Sequence, residues 1–139
     1  MKCSSFLVLL LAIVMLACGG SGTMPNLKRV SERPKVQNQL QQIGIAYRNC
    51  AITAPPRKIE ELMPFLENDA KTEKLLRDGT IVVIWGVVID LVANGSETIL
   101  AYEKDADEQG TRYVLMANCS TVKAMSNDEF QKAPKAKGN

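Results

Sequence analysis

PKVQNQLQQIGIAYRNC, residues 34–50, decides the fold. Its apolar residues Val36, Leu40, Ile43, Tyr47 and Cys50 recur at intervals of four, three, four and three, which aligns them along one stripe of an amphipathic α-helix. Pro34 suits the first turn of such a helix, where its missing N–H costs nothing. Gln37, Asn38, Gln39, Gln41 and Gln42 lie off the stripe and predict a polar, uncharged, solvated face. The stripe lasts barely two heptads, and a coiled coil wants three or four, so the expected use of the apolar side is packing on the chain's own sheet.

Downstream, Ala54-Pro55-Pro56 closes the helix, because the residue before a proline is pushed out of the helical region. Two short helices are predicted next, near residues 57–67 and 70–77, with Pro64 breaking the first and Asp78-Gly79 stopping the second. Ile81 to Ile89 is apolar and mostly β-branched without helical periodicity, which predicts a strand buried on both faces and serving as the spine of the core. Further strands are expected at 97–103, 112–117 and 121–125, separated by turns at 93–96 and 104–110 and by a tight hairpin around Asn118-Cys119. Ser126-Asn127-Asp128-Glu129 reads as a helix cap with an acidic first turn, opening a brief helix through Phe130. The class is therefore α+β: an N-terminal amphipathic helix and short helices packed on an antiparallel β-meander of three to four strands.

Upstream, Lys2 precedes twelve apolar residues, Phe6 to Ala17, the layout of a secretory signal peptide. The run is too short to cross a bilayer, which takes about 20 residues. It ends in Met15-Leu16-Ala17-Cys18, which resembles the bacterial lipobox, with a small residue ahead of the cysteine that receives lipid. Lipid on Cys18 would convert a soluble domain into a membrane-anchored one. Gly19-Gly20-Ser21-Gly22-Thr23-Met24-Pro25-Asn26 has the composition of a flexible linker. The expected organisation is a signal peptide over 1–17, a lipidated tether over 18–33, a single domain over 34–133 and a disordered basic tail over 134–139.

The chain contains no histidine, which removes the commonest general base and metal ligand. Neither a phosphate-binding glycine loop nor a dinucleotide fingerprint nor a CxxC pair is present, so no cofactor or metal site is expected. Without Lys2, the 17 basic residues become 16 against 15 acidic ones, a balance that gives nucleic acid no field to bind. Asp105, Asp107 and Glu108 lack the rest of a calcium loop and read as a solvated turn. Glu60, Glu61, Glu67, Asp69, Glu73 and Asp78 read as polar helix faces rather than an acid/base pair, and Trp85 reads as core. Lys132, Lys135 and Lys137 read as a frayed, solvated end, with weak attraction to anionic lipid headgroups as the lesser alternative. No enzymatic activity is expected.

Two segments carry a family resemblance. Asn38-Gln39-Leu40-Gln41-Gln42-Ile43-Gly44-Ile45-Ala46-Tyr47-Arg48-Asn49 resembles the helix that follows the membrane segment in bacterial prepilin-like (type II secretion pseudopilin-like) proteins, and Tyr113 to Val122 resembles their C-terminal hairpin. The resemblance implies a long helix against an antiparallel sheet and supplies no activity, since a fold does not assign function. Asn118-Cys119 stands where that family places Asp-Gly, and a lipobox stands where it places its prepilin cleavage segment.

Once Cys3 is cleaved off and Cys18 is acylated, Cys50 and Cys119 remain as an even pair in a compartment that permits disulfides. Either they bridge, or each packs alone as a small hydrophobe. The expected role is a lipid-anchored envelope protein acting through contacts with a protein partner. A small-ligand module with a pocket between helix and sheet is the alternative, and a carboxylate enzyme the third reading.

Overall fold

The computed structural model describes residues 27–67 and 69–139, with side chains from residue 36 onward. The signal peptide, Cys18 and the tether through residue 26 lie outside the described residues. Helix α1 spans Leu27–Ala51, α2 Ile59–Leu62 with a 3-10 turn over Met63–Phe65, and α3 Ala70–Arg77. Strands β1 (Ile81–Val83), β2 (Ile99–Glu103), β3 (Thr111–Met116) and β4 (Val122–Ser126) follow, then α4 (Asn127–Lys132). The four strands form one antiparallel sheet in the order β1-β2-β3-β4, the meander that the turn spacing predicts.

The helical stripe packs as its periodicity requires. Leu40, Ile43 and Tyr47 are fully buried, Cys50 nearly so, and Val36 packs at the margin. Its seat on the sheet is close: a Cβ added at Gly44 would run into the Cys119 carbonyl and lie 3.1 Å from the Leu115 Cδ1. Ordinarily, Gly→Ala in a helix interior gains up to about 1 kcal/mol. Here the clash with backbone reverses the sign, and Gly44→Ala is expected to cost about 1–3 kcal/mol, the scale of overpacking. Urea denaturation checks it, and a stabilised variant would mean that α1 and the β3–β4 turn are not in contact.

Three expectations are corrected. The helix begins at Leu27 rather than Pro34, so residues 27–33 belong to it and not to the tether. Leu27, Lys28, Arg29, Glu32 and Arg33 are strong helix formers, and they outweigh the proline that follows. The run Ile81 to Ile89 is not the spine of the core: only Ile81–Val83 forms strand, and at the sheet's edge. Gly86 takes φ 73° and turns the chain away, its N–H donating to the Pro56 carbonyl at 2.8 Å. The spine is β2 and β3, where Leu100, Ala101, Val114, Leu115 and Met116 are fully buried. A register shift between Ile99 and Ala101 puts both Leu100 and Ala101 in the cluster beneath α1, while Ile99 joins Val114, Met116 and Phe130 on the α4 side.

The third correction concerns residues 134–139, which are docked rather than disordered. Ile99 N–H donates to the Pro134 carbonyl at 2.8 Å, Ala136 N–H to the Ile99 carbonyl at 2.9 Å, and Asn139 N–H to the Gly86 carbonyl at 3.2 Å. Because β1 pairs only with residues 101–103 of β2, the edge at Ile99 is vacant, and the tail satisfies it as a parallel bridge. Lys135 is held as well, its Nζ 4.4 Å from the centroid of the Phe130 ring, against which the Arg112 guanidinium also stacks at 4.3 Å.

The Ser126 cap and the Gly79 stop follow the sequence signals, whereas Asp69, expected on a polar helix face, is the cap of α3. Ser126 and Glu129 form a reciprocal capping box at α4. The Asp69 side chain accepts from the Lys71 and Thr72 N–H groups at α3, and Gly79 ends the following turn at φ 75°.

Candidate functional site

The carboxylates of the short helices serve the fold and do not converge. Glu60 and Glu73 flank Arg77 at 3.3 and 2.8 Å, Asp69 caps α3, and the Asp78 side chain accepts the Thr80 N–H. Hydrogen bonds hold the carboxyls of Glu60, Asp69, Asp78 and Glu129 below the usual range. Asp107 folds its own turn, accepting the N–H groups of Gln109 and Thr111. Among the described residues no three His, Cys, Asp or Glu side chains gather as a metal would require, and no helix is long and apolar enough to cross a membrane. Trp85 is partly buried against the α1-side core.

Cys50 and Cys119 are both buried and both free, so the bridge admitted by the sequence is not formed. Each thiol has its own polar neighbours: Cys50 Sγ faces the carbonyls of Glu61 at 3.5 Å and Ala54 at 3.7 Å, and Cys119 Sγ faces that of Ala117 at 3.6 Å. Between them Tyr47 points its hydroxyl into the 84–87 segment, accepting the Val87 N–H at 2.9 Å with the Val87 and Ile84 carbonyls at 3.2 and 3.4 Å as acceptors for its own proton.

Burial pushes the Tyr47 hydroxyl up to about 12 from an ordinary 10.0, and the Cys119 thiol up to about 11 from 9.0. In both cases the fold prefers the protonated group, so the stability they contribute is complete below pH 9. It declines first as Cys119 responds between pH 9 and about 11, then as Tyr47 responds between pH 10 and about 12. Denaturant midpoints measured from pH 8 upward should fall through this window, and Cys119→Ala should lessen the earlier part of the fall, leaving the share of Cys50, whose thiol burial also pushes up. A midpoint that stays flat to pH 11 in the native chain would contradict the burial of both groups.

The outer side of α1 is less polar than its glutamines suggest. Gln41, Ile45, Arg48 and Asn49 form a stripe opposite the core, Ile52 follows in the turn just past the helix end, and Ile45 and Ile52 are 53% and 82% exposed. With Cys119 and Ser120, the first four of these line a shallow groove of about 390 Å³. Its floor is rigid: Asn118 Oδ1 accepts the Ser120 and Thr121 N–H groups, Cys119 takes φ 57°, and the Arg48 guanidinium donates to the Asn118 carbonyl. Asp90 lies near enough to Cys119 to oppose its ionisation, and beside it Leu91 is 79% exposed. The signal for this face was Ile45, an aliphatic residue on the glutamine side of the helix, with a second isoleucine, Ile52, just past its end.

No family model, characterised protein or solved structure matches this chain.

Proposed function

We propose that this chain is a lipid-anchored cell-envelope protein whose domain acts as a structural or protein-interaction module, with the outer face of α1 as the contact surface. The observation that carries the reading is Ile45, 53% exposed on α1 and lining one groove with Cys119 and Ser120, with Ile52 82% exposed just past the helix end. Exposed isoleucines at this end of α1, Ile45 among them with Gln41, Arg48 and Asn49 around its groove, suit a protein contact surface. The lipobox-like Met15-Leu16-Ala17-Cys18 supports anchoring through lipid on Cys18. The long helix against an antiparallel meander supports a pilin-like arrangement.

Mass spectrometry of the mature N-terminus tests the anchor. Acylated Cys18 as the first residue is expected, and Cys18→Ser should leave the precursor unprocessed. An unmodified cysteine, or a start elsewhere, would sink that part. Crosslinking in the native envelope tests the face: Ile45→Glu with Ile52→Glu should abolish the captured neighbour while leaving thermal unfolding unchanged. The groove keeps a small-ligand module as the second reading, its volume lying within the range of ligand pockets.

A further inference from the structure

We propose that the channel between the N-terminal end of β2 and the Trp85–Gly86 turn is a strand-addition site for an extended peptide, closed in cis by residues 134–139 and open to the same segment of a second copy of this chain. The channel exists because β1 is short. Its ladder stops at the Val83–Ala101 pair, the Ile84 N–H makes a last bond to the Leu100 carbonyl at 2.9 Å, and the chain then turns off at Gly86. Ile99 is left with an N–H and a carbonyl aimed outward, the kind of vacant sheet edge to which extended peptides add.

The tail fills this edge with little more than its backbone. Its backbone hydrogen bonds there are the three to Ile99 and Gly86, Lys135 reaches the Phe130 ring and carbonyl from the surface, and of its side chains only Ala136 is buried, within the cluster beneath α1. Pro134, Lys135, Lys137, Gly138 and Asn139 remain exposed. A segment held by so few buried contacts opens locally at far lower free energy than the central strands.

The channel is nonetheless selective. A Cβ at Gly138 would collide with the Trp85 carbonyl, and one at Gly86 would approach the Asn139 carbonyl to 2.9 Å. An occupant therefore needs an alanine-sized residue at the buried position and a glycine two residues on, the pattern of Ala136 and Gly138. The sequence that meets this requirement here is the chain's own, which commits the site to a second copy as its partner in trans, as in the exchange of identical elements between protomers. In cis the tail competes at an effective concentration of roughly millimolar, so exchange shows only where the internal copy is disabled.

The test uses the full chain, labelled with 15N, carrying Gly138→Val, with Ala136→Asp as an independent second variant. The probe is a synthetic peptide with the sequence of residues 132–139, KAPKAKGN. The peptide should shift the resonances of Ile99, Gly86 and the sole tryptophan, Trp85, in both variants, and at least tenfold more weakly in the unaltered chain. A peptide with valine in place of its glycine should bind at least tenfold more weakly than KAPKAKGN. In the unaltered chain the Ala136 amide should exchange with solvent at least tenfold faster than the β3 amides. Variants that keep β3 protection but ignore the peptide, equal binding of both peptides, or Ala136 exchanging at the β3 rate would each overturn the proposal. The exchange measurement decides by itself if the variants do not fold.

Discussion

Tyr47→Ala is expected to lower the unfolding free energy by about 3–5 kcal/mol, the range for emptying a large aromatic site in a core. Tyr47 has no exposed surface and heads the fully buried side chains by volume. It also closes the 84–87 segment, because its hydroxyl is the acceptor for the Val87 N–H at 2.9 Å. Tyr47→Phe separates the two contributions. It keeps the ring and strands a buried donor, which costs about 1–3 kcal/mol. Urea unfolding should show the midpoint falling with an unchanged slope in both variants, more for Ala than for Phe. Equal losses would assign the whole effect to the hydroxyl. A loss under about 1 kcal/mol for Ala would mean that the helix does not hold the segment after β1.

The parts of the fold that were legible in the sequence are those fixed by neighbours in the chain. The stripe Leu40, Ile43, Tyr47 and Cys50 is buried because helix geometry alone puts those residues on one side. Ser126 with Glu129, and Gly79 after α3, act within one turn, and each behaves as its residue type requires. The misreadings share a different cause: a distant partner decides the local state. Val87 is as buried as a strand residue would be, yet its N–H is met by Tyr47 from α1 rather than by a neighbouring strand. The Gly86 N–H is met by Pro56, and composition cannot announce either contact. Lys135 and Lys137 look like a solvated end, but the three-residue length of β1 leaves an edge for their backbone to occupy. At the candidate site, Cys119 and Asn118 were legible as a turn. The exposed aliphatic face beside them was hidden by the glutamines around it.

Leu40→Ala and Ile45→Ala use opposite sides of one helix to test that division, and they are expected to differ by most of the stability that a core position carries. Leu40 has no exposed surface and packs in the cluster with Leu100, Ala101 and Leu115, so its truncation should cost about 2–5 kcal/mol through lost burial and the cavity left behind. Ile45, at 53% exposure, lies across the helix and loses little, so its truncation should stay within about 0.5 kcal/mol. Alanine also has the best helix propensity, which works slightly in favour of both variants and cannot account for the contrast. Paired denaturation curves give the two numbers, and crosslinking in the native envelope gives the complementary pattern. Leu40→Ala, folded at low temperature, should retain its captured neighbour, whereas the charged Ile45→Glu should lose it at full stability. If Ile45→Ala proves as costly as Leu40→Ala, the outer face is part of the core and the contact surface must be sought elsewhere. If both are cheap, α1 is not packed on the sheet at all, and the arrangement in which Gly44 meets the Cys119 carbonyl would fail with it.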